Sequence, residues 1–476
     1  MKFGFVLAES SELPAATVTS ASRTFLSVQD AWRISPRLTL TYGLCWEVNP
    51  APGEANGNQP LTLTGIDNPS TAKLAAPGTK LYPTTYGNFA PRVGVAYQPF
   101  RTRGTVLRAG FGMFYDLGYA FTGTALTPNN FPYSRIRTLS NAPLNDRAYF
   151  SNVGPQTSNP PYLRLFDYDD RYKLPYTMQF SLALEQPIGI ANSISASYVG
   201  AAGRHLARIE SLRTQVLQNP LFTRVDSVNN GGYSDYHSLQ LQFKRRVTRG
   251  LQALTSYTWS KSLDTASDES ITNLAAPLAR MNPDNDRGPS SFDIRHALTG
   301  STSYQMPKKL GGFALDSIVR LRTAAPVTVV TGRDPLGLGL TNVARPDLVP
   351  GQPLYLYSDA LPGGKRFNPA AFDGATPLAQ ARQGTLGRGT LRGFGLQQVD
   401  LALRRRFTLH ERLGLELRAD AFNIFNTANF SNPIGVLTNT NFGRSTQILS
   451  TGLGGLNPLF QIGGPRSMQL SLRLQF

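Results

Sequence analysis

Charged side chains recur at every second position in several short stretches of this sequence. Between Leu413 and Ala421, for example, Glu416, Arg418 and Asp420 alternate with leucine and alanine. Because successive side chains of a β-strand point to opposite faces of a sheet, such residues are predicted to share one wet face. The residues with this property are Arg108, Glu185, Lys244, Arg246, Asp316, Arg320, Arg322, Asp400, Arg404, Arg406, Glu416, Arg418, Asp420 and Arg473.

Two chemical roles remain open for this charged set. The first is a solvated wall, whose acids and bases neutralise one another in ion pairs. The second is a basic surface that contacts an anionic solute or a separate plug domain. The formal net charge of +17 favours an anionic partner of some kind.

Residues that could bind a metal ion or catalyse a reaction are present, but their spacing does not match that of a known metal or catalytic site. Asp284–Gly288 is rich in oxygen ligands, but Arg295 stands where an EF-hand calcium loop carries its last acid. A loop-to-strand turn is therefore the main interpretation, and a bound cation is the lesser one. The four histidines are dispersed, and no nucleophile–base pair or phosphate loop appears. We predict no enzymatic activity and no cofactor.

Strands are needed to position the charged set, and the apolar pattern predicts them. Every second residue from Met468 to Phe476 is apolar, and the residues between are polar. Six hairpins with the same alternation precede this strand: Phe25–Ile34 with Arg37–Glu47, Val93–Gln98 with Leu107–Tyr115, Met178–Glu185 with Ile194–Tyr198, Leu239–Val247 with Leu251–Trp259, Phe292 onward with Phe313–Leu321, and Val399–Phe407 with Leu413–Ala421. With Met1–Ser10 interpreted as part of another strand, about fourteen strands are predicted.

The connections between these strands alternate in length, about three to eight residues and then about thirty to seventy. A soluble sandwich has no reason to sort its loops by end, whereas outer-membrane barrels have short periplasmic turns and long extracellular loops. Strands of about 10–12 residues also suit a tilted crossing of a thin bilayer. The sequence therefore predicts an all-β fold, an antiparallel transmembrane β-barrel in the outer membrane.

Four aromatic residues near strand ends are predicted to form girdles at the membrane surfaces: Trp32, Trp46, Tyr257 and Trp259. Packing in a soluble core is the open alternative for them. The mean hydropathy of −0.22 does not oppose membrane strands, because alternation averages their hydrophobicity towards zero. No run of about 18 apolar residues occurs, so a membrane-spanning helix is excluded.

The chain carries 47 Lys and Arg residues against 30 Asp and Glu residues. A soluble nucleic-acid binder would gather its basic residues on one face with exposed aromatic rings. Here the strand bases alternate with apolar positions and lie beside acids, so no nucleic-acid partner is predicted. The single cysteine, Cys45, cannot form an internal disulfide.

Five motifs resemble the barrel of Oar-like TonB-dependent receptors: Gln29–Gly43, Asn88–Tyr97, Ser256–Asp264, Asp286–His296 and Arg418–Asn426. The resemblance covers nearly the whole chain. It implies the C-terminal part of the twenty-two-stranded barrel typical of outer-membrane transporters. The ending is similar to the last strand of bacterial outer-membrane proteins, in which the final aromatic residue, here Phe476, belongs to the signal read by the barrel-assembly machinery.

The family also carries a carboxypeptidase-regulatory-like sandwich, a TonB box and a plug, and residues 1–476 contain no segment that we identify as any of these or as a signal peptide. We therefore expect a partial barrel that takes up an unidentified solute and is not energised alone. The alternatives are a passive porin-like channel and a surface adhesion or matrix protein that acts through its loops. The expected partners are outer-membrane lipid and the barrel-assembly machinery, with the TonB complex added only if a plug and TonB box lie upstream.

Overall fold

The computed structural model describes residues 19–20, 22–55, 59–101, 104–116, 160–162, 165–213, 217–267, 283–333, 344–380, 382–410, 413–452 and 462–476. Through these residues runs an antiparallel meander, in which each strand is hydrogen-bonded to the next along the chain. Its strands are β1 (Thr24–Ser35), β2 (Leu38–Val48), β3 (Asn88–Tyr97), β4 (Val106–Tyr115), β5 (Tyr176–Ile188), β6 (Asn192–Arg213), β7 (Arg224–Thr248), β8 (Leu251–Asp264), β9 (His296–Gln305), β10 (Phe313–Arg322), β11 (Leu396–His410), β12 (Leu413–Phe422) and β13 (Ser467–Gln475).

Two short strands bring this sheet to 15 strands. Leu165–Tyr168 pairs in parallel with β7, and Gly288–Pro289 pairs antiparallel with β8. Within the described residues, β1 pairs only with β2 and β13 only with β12, so the sheet has two open edges there. The six predicted hairpins and the terminal strand are confirmed, whereas Met1–Ser10 lies outside the described residues.

The strand register sorts the side chains onto two faces of the sheet. Leu403 lies opposite Leu315 on one side and Ala419 on the other, and Ala419 lies opposite Leu470. We call the face that carries this row the apolar face, and the opposite one the charged face. The apolar face is uncovered, since Leu470 is 81% exposed and Leu182 is 56% exposed. An exposed apolar face of this extent fits contact with lipid.

The turn between β7 and β8 shows why the hairpins close so tightly. Arg249 and Gly250 both have positive φ, at 52° and 78°. Two central residues with positive φ form a primed turn, whose twist matches the right-handed twist of the flanking strands. Glycine adopts this conformation without steric cost, so the sequence Arg249-Gly250 sets the register of the pair.

β6 and β7 contradict the predicted strand lengths, because they contain 22 and 25 residues. The long loop predicted between Tyr198 and Leu239 is in fact a paired extension of both strands, which we call the arm. In the arm, Ile209 and Leu212 are both buried although they do not share a parity. Burial on both faces removes the period-two alternation, and this is why the sequence pattern did not reveal the extension.

The connection between β10 and β11 is also more ordered than predicted. Pro326–Val327 does not continue β10 but pairs with Leu391–Arg392. Further pairs join Asp347–Leu348 to Phe372–Asp373 and Tyr355–Tyr357 to Lys365–Phe367.

The buried apolar side chains lie mainly in the long connections. One core, the loop cluster, is formed mainly by residues of 323–395, including Val329, Phe367, Leu386 and Leu391, together with Phe442 of the connection between β12 and β13. Two others surround the arm and include Tyr168, Leu212 and Phe222. The helices among the described residues are short, and none has the length and hydropathy needed to cross a bilayer.

Candidate functional site

The charged face of β10 and β11 carries a partly buried ion pair. Arg320 Nη1 lies 2.6 Å from Asp400 Oδ2. The other oxygen, Asp400 Oδ1, accepts hydrogen bonds from Gln398 Nε2 at 2.8 Å and from the backbone N–H of Asn423 at 2.9 Å. Asp400 is therefore satisfied on both oxygens, and it ties the end of β12 to β11.

A second group of charged side chains lies on the same face of β10, β11 and β12. Asp316 Oδ2 accepts from Arg404 Nε at 2.9 Å and lies 3.8 Å from Arg418 Nη1. Its other oxygen accepts from the Ser303 hydroxyl at 2.6 Å. Arg418 also pairs with Asp420 at 2.8 Å. Four adjacent strands, β9 to β12, are joined through these contacts.

The rest of the predicted charged set is less closely connected. Arg108 and Glu185 form an exposed pair at 3.1 Å. Glu416 is the register partner of both Arg406 and Arg473 on the neighbouring strands. In the part of the chain that the structure describes, six members of the charged set form no ion pair within 4.0 Å. They are Glu416, Arg406, Arg473, Lys244, Arg246 and Arg322.

The four predicted interfacial aromatics lie on the apolar face. Trp32 and Trp259 are 56% and 52% exposed. Trp46 and Tyr257 are partly covered, because Trp46 Nε1 donates to the carbonyl of Tyr86 at 2.7 Å and the Tyr257 hydroxyl lies 2.8 Å from His296 Nδ1. Each ring thus has an apolar body on the sheet surface, and the last two also have polar partners.

Sequence reasoning missed a layer of buried arginine–aspartate contacts at the long-connection end of the sheet. Asp286 lies between two arginines, with Arg208 Nη2 at 3.1 Å and Arg345 Nη1 at 2.7 Å. The side chain of Arg208 is fully buried, and those of the other two are nearly so. Arg208 belongs to the arm and Arg345 to the 323–395 connection. The carboxylate of Asp286 therefore joins three segments that are far apart in the sequence.

Two more arginines extend this layer. Arg388 donates to the Asp286 carbonyl at 2.8 Å and contacts the Asp264 carboxylate closely. Arg392 Nη2 lies 2.6 Å from Asp293 Oδ2, and Asp293 Oδ1 accepts the backbone N–H of Ser262 at 2.7 Å. We call Asp264, Asp286, Asp293 and the arginines Arg208, Arg345, Arg388 and Arg392 the arginine layer. It anchors the loop cluster to the arm and to the end of β8.

The geometry of residues 283–289 agrees with the predicted turn. Pro283–Asp286 forms a 3-10 helix, followed by the short strand Gly288–Pro289. Both Asp286 oxygens are engaged by arginines, and Asp284 accepts the hydroxyl of Tyr233. In the described ranges, no three His, Cys, Asp or Glu side chains are grouped to hold a metal ion.

One part of the layer was visible in the sequence. Asp286 and Asp293 lie within the motif Asp286–His296 that carries the family resemblance. Their arginine partners are in segments rich in glycine and proline, or in the arm, where no periodicity marks a residue as buried. Only the fold brings Arg208 and Arg345 to Asp286, and Arg392 to Asp293.

A further buried acid connects the first long connection to the arm. Asp167 Oδ1 accepts the Thr62 hydroxyl at 2.8 Å and the Leu63 N–H at 3.0 Å, while Asp167 Oδ2 has no hydrogen-bond partner among the described residues. Burial raises the pKa of the Asp167 carboxyl to about 7, against the lowering effect of the two hydrogen bonds.

An antiparallel meander with an uncovered apolar face and an opposite charged face is the arrangement found in outer-membrane β-barrel proteins. The sequence matches the family described as outer membrane beta barrel domain over residues 5–469. The chain belongs to this family, and its location is the outer membrane.

The fold is similar to that of solved outer-membrane proteins. The outer membrane transporter YddB from Escherichia coli has 11% identity and a TM-score of 0.50, over 96% of this chain and 55% of that one. The FrpB iron transporter from Neisseria meningitidis has 13% identity and a TM-score of 0.48, over 96% of this chain and 46% of that one. The ferripyoverdine receptor from Pseudomonas aeruginosa has 12% identity and a TM-score of 0.48, over 96% and 39%.

This chain spans between 39% and 55% of the length of those three structures. No curated protein matches the sequence.

Proposed function

We propose that this chain is the barrel portion of a TonB-dependent outer-membrane receptor that takes up a solute of unidentified chemistry. The family match, the fold similarity to YddB and the resemblance of the five motifs support this proposal. The charged face lines the lumen, and its ion pairs on β9 to β12 keep a wet wall neutral and ordered. The apolar face contacts lipid.

In this proposal the short turns are periplasmic and the long connections are extracellular. Trp46, Tyr257 and Trp259 then belong to the outer girdle, and Trp32 to the inner one. Phe476 lies on the periplasmic side, because Gln475 pairs with Gly414 at the short-turn end of β12. This position suits a terminal signal for the barrel-assembly machinery.

The arginine layer is the observation that carries the receptor interpretation. Removing a buried charge from its partner costs several kcal/mol, so a layer of such pairs holds separate loops in one arrangement. A preorganised loop surface binds a ligand with less loss of conformational freedom than mobile loops do. Selective capture of a solute requires such a surface, whereas passive diffusion does not.

Among the described residues β1 and β13 each pair with one strand only, and the chain covers 55% of YddB; both observations fit a receptor in which further strands and a plug complete the barrel. Energised uptake then depends on a TonB box in the complete receptor. In this proposal the TonB complex is a partner of the complete receptor.

Two measurements test the proposal. Sequencing the genomic DNA upstream of the Met1 codon should reveal an in-frame plug and TonB box, and a stop codon close upstream would count against it. The refolded chain, added to a planar bilayer in potassium chloride, should give no uniform conductance steps. Regular steps of one size would instead support the passive channel made by this chain alone.

A further inference from the structure

Arg405 lies on the apolar face of the sheet. Arg405 is on β11, where its parity is that of Leu401, Leu403 and Phe407, and not that of the charged residues. Its guanidinium carbon lies 4.9 Å from the centre of the Phe313 ring and 4.6 Å from that of Phe407. Among the described residues no carboxylate lies within ion-pair distance of it.

The position of Arg405 along the strand is that of a membrane interface. Its register partner on β10 is Phe313, the first residue of that strand, and β11 ends five positions later at His410. A charge in the hydrocarbon core is costly, whereas at the boundary it meets the phosphate groups of lipids. Arg405 therefore lies where an acidic headgroup is within reach.

A depression of about 490 Å³ opens beside Arg405 on the same face. Its apolar lining includes Phe313, Leu403, Phe407, Leu417, Ala419 and Leu470. Ala419 lies between Leu403 and Leu470 in one register row, so its small side chain leaves a trough between two leucines. The trough runs from Arg405 towards the middle of the sheet.

A second basic residue, Lys308, lies near the water-facing end of this depression. A neighbouring depression of about 660 Å³ at the short-turn end is lined by Lys308 and Arg405, and by Arg404, Arg406 and Glu416 of the charged face. The charge complementarity is thus with an anion that lies at the interface. The trough adds room for an aliphatic chain that continues into the bilayer.

We infer that Arg405 and the Ala419 trough form a binding site for one anionic phospholipid in the leaflet at the short-turn end. The guanidinium fork binds the headgroup phosphate, and its stacking between Phe313 and Phe407 holds it in place. One acyl chain lies along Ala419. Free phosphate lacks this second contact and is not the expected ligand.

The test is native mass spectrometry of the full chain in detergent, titrated with palmitoyl-oleoyl phosphatidylglycerol or phosphatidylcholine. One basic side chain near a membrane surface favours an anionic lipid by about five-fold in affinity, which corresponds to about 1 kcal/mol. Arg405→Gln should remove this preference. Arg406→Gln is the matched control, because it changes the adjacent residue on the opposite face and should leave the preference intact.

A second variant separates the lipid from a free anion. Ala419→Leu fills the trough without changing charge and should weaken phosphatidylglycerol binding, and added glycerol phosphate should not displace the lipid. Heat-modifiable mobility on a gel confirms that each variant is folded. Retention of the preference by Arg405→Gln, equal loss in Arg406→Gln, unchanged binding by Ala419→Leu, or displacement by glycerol phosphate would each overturn the inference.

Discussion

Replacing Asp286 by asparagine removes the charge that joins Arg208 to Arg345 and changes almost no volume. Each arginine side chain is at most 6% exposed, so neither gains water in exchange. Loss of one partner from a buried ion pair costs about 3–5 kcal/mol. Arg345 keeps its bonds to the carbonyls of Leu386 and Asn285, at 2.8 and 2.9 Å, so we expect the lower end of this range.

This loss of stability is expected in the long connections and not in the sheet, because the arginine layer lies beyond the ends of β9 to β12. A local cost of about 3 kcal/mol raises the population of the opened loops by a factor on the order of 100. Hydrogen exchange of the refolded protein, followed by mass spectrometry, measures that population. Peptides covering 283–293 and 344–352 should exchange faster in Asp286→Asn, and peptides from β10 to β12 should not.

Asp284→Asn is the matched control for this experiment. Asp284 lies in the same turn, is exposed, and accepts a hydrogen bond from Tyr233. Loss of an exposed charge contact costs about 0–1 kcal/mol, so the loop peptides should exchange almost as in the parent chain. Equal acceleration by the two variants, or none in Asp286→Asn, would refute the reasoning about burial.

Three further predictions concern the buried acid, the glycine of the turn and the charged face. Because burial raises the pKa of Asp167 to about 7 in the folded chain, the stability it contributes is full below about pH 4 and is lost as the pH rises through 7. The opening free energy of 61–74, obtained from exchange corrected for the intrinsic pH dependence of amide exchange, should therefore fall over that interval and should not fall in Asp167→Asn. A flat profile of this free energy in the parent chain would contradict the assignment. Gly288→Ala places a methyl group against the Arg388 carbonyl and should cost about 1–3 kcal/mol in loop stability, whereas Gly87→Ala, which meets no atom within 4 Å, should be silent in the same exchange assay. Asp400→Asn breaks the partly buried contact to Arg320 and should lower the urea midpoint of the refolded chain more than Glu185→Gln, which removes an exposed pair worth about 0–1 kcal/mol; an equal shift in both would argue against a role for burial at Asp400.

The sheet could be predicted from the sequence, because one physical rule acts along each of its strands. A strand with one lipid-facing side and one water-facing side must alternate apolar residues with polar or small ones, and Leu413–Ala421 does so without interruption. Tight turns such as Arg249-Gly250 then fixed the hairpin partners. The charged set was found by the same rule.

The arm and the arginine layer could not be predicted in this way. The arm is covered on both of its faces by other connections. The burial of Ile209, Leu212 and Val225 therefore depends on segments that are distant in sequence. Asp286 and Arg345 are 59 residues apart, and Arg388 and Asp264 are 124 apart. No local pattern encodes such pairs, and their charges resemble those of ordinary solvated loops.

The alternation of lipid-facing and water-facing side chains along one strand is the most direct test of the whole account. Spin labels placed singly at 399, 400, 401, 402, 403 and 404 of β11, in a Cys45→Ser background reconstituted into vesicles, report collisions with oxygen or with a water-soluble nickel complex. Labels at 399, 401 and 403 should collide mainly with oxygen, and the label at 404 mainly with nickel. Labels at 400 and 402, where the native side chains are buried, should collide much less with oxygen than their neighbours do. Labels that show no alternation, or odd positions that are shielded from both reagents, would show that this face is packed against protein and that the sheet does not divide lipid from water.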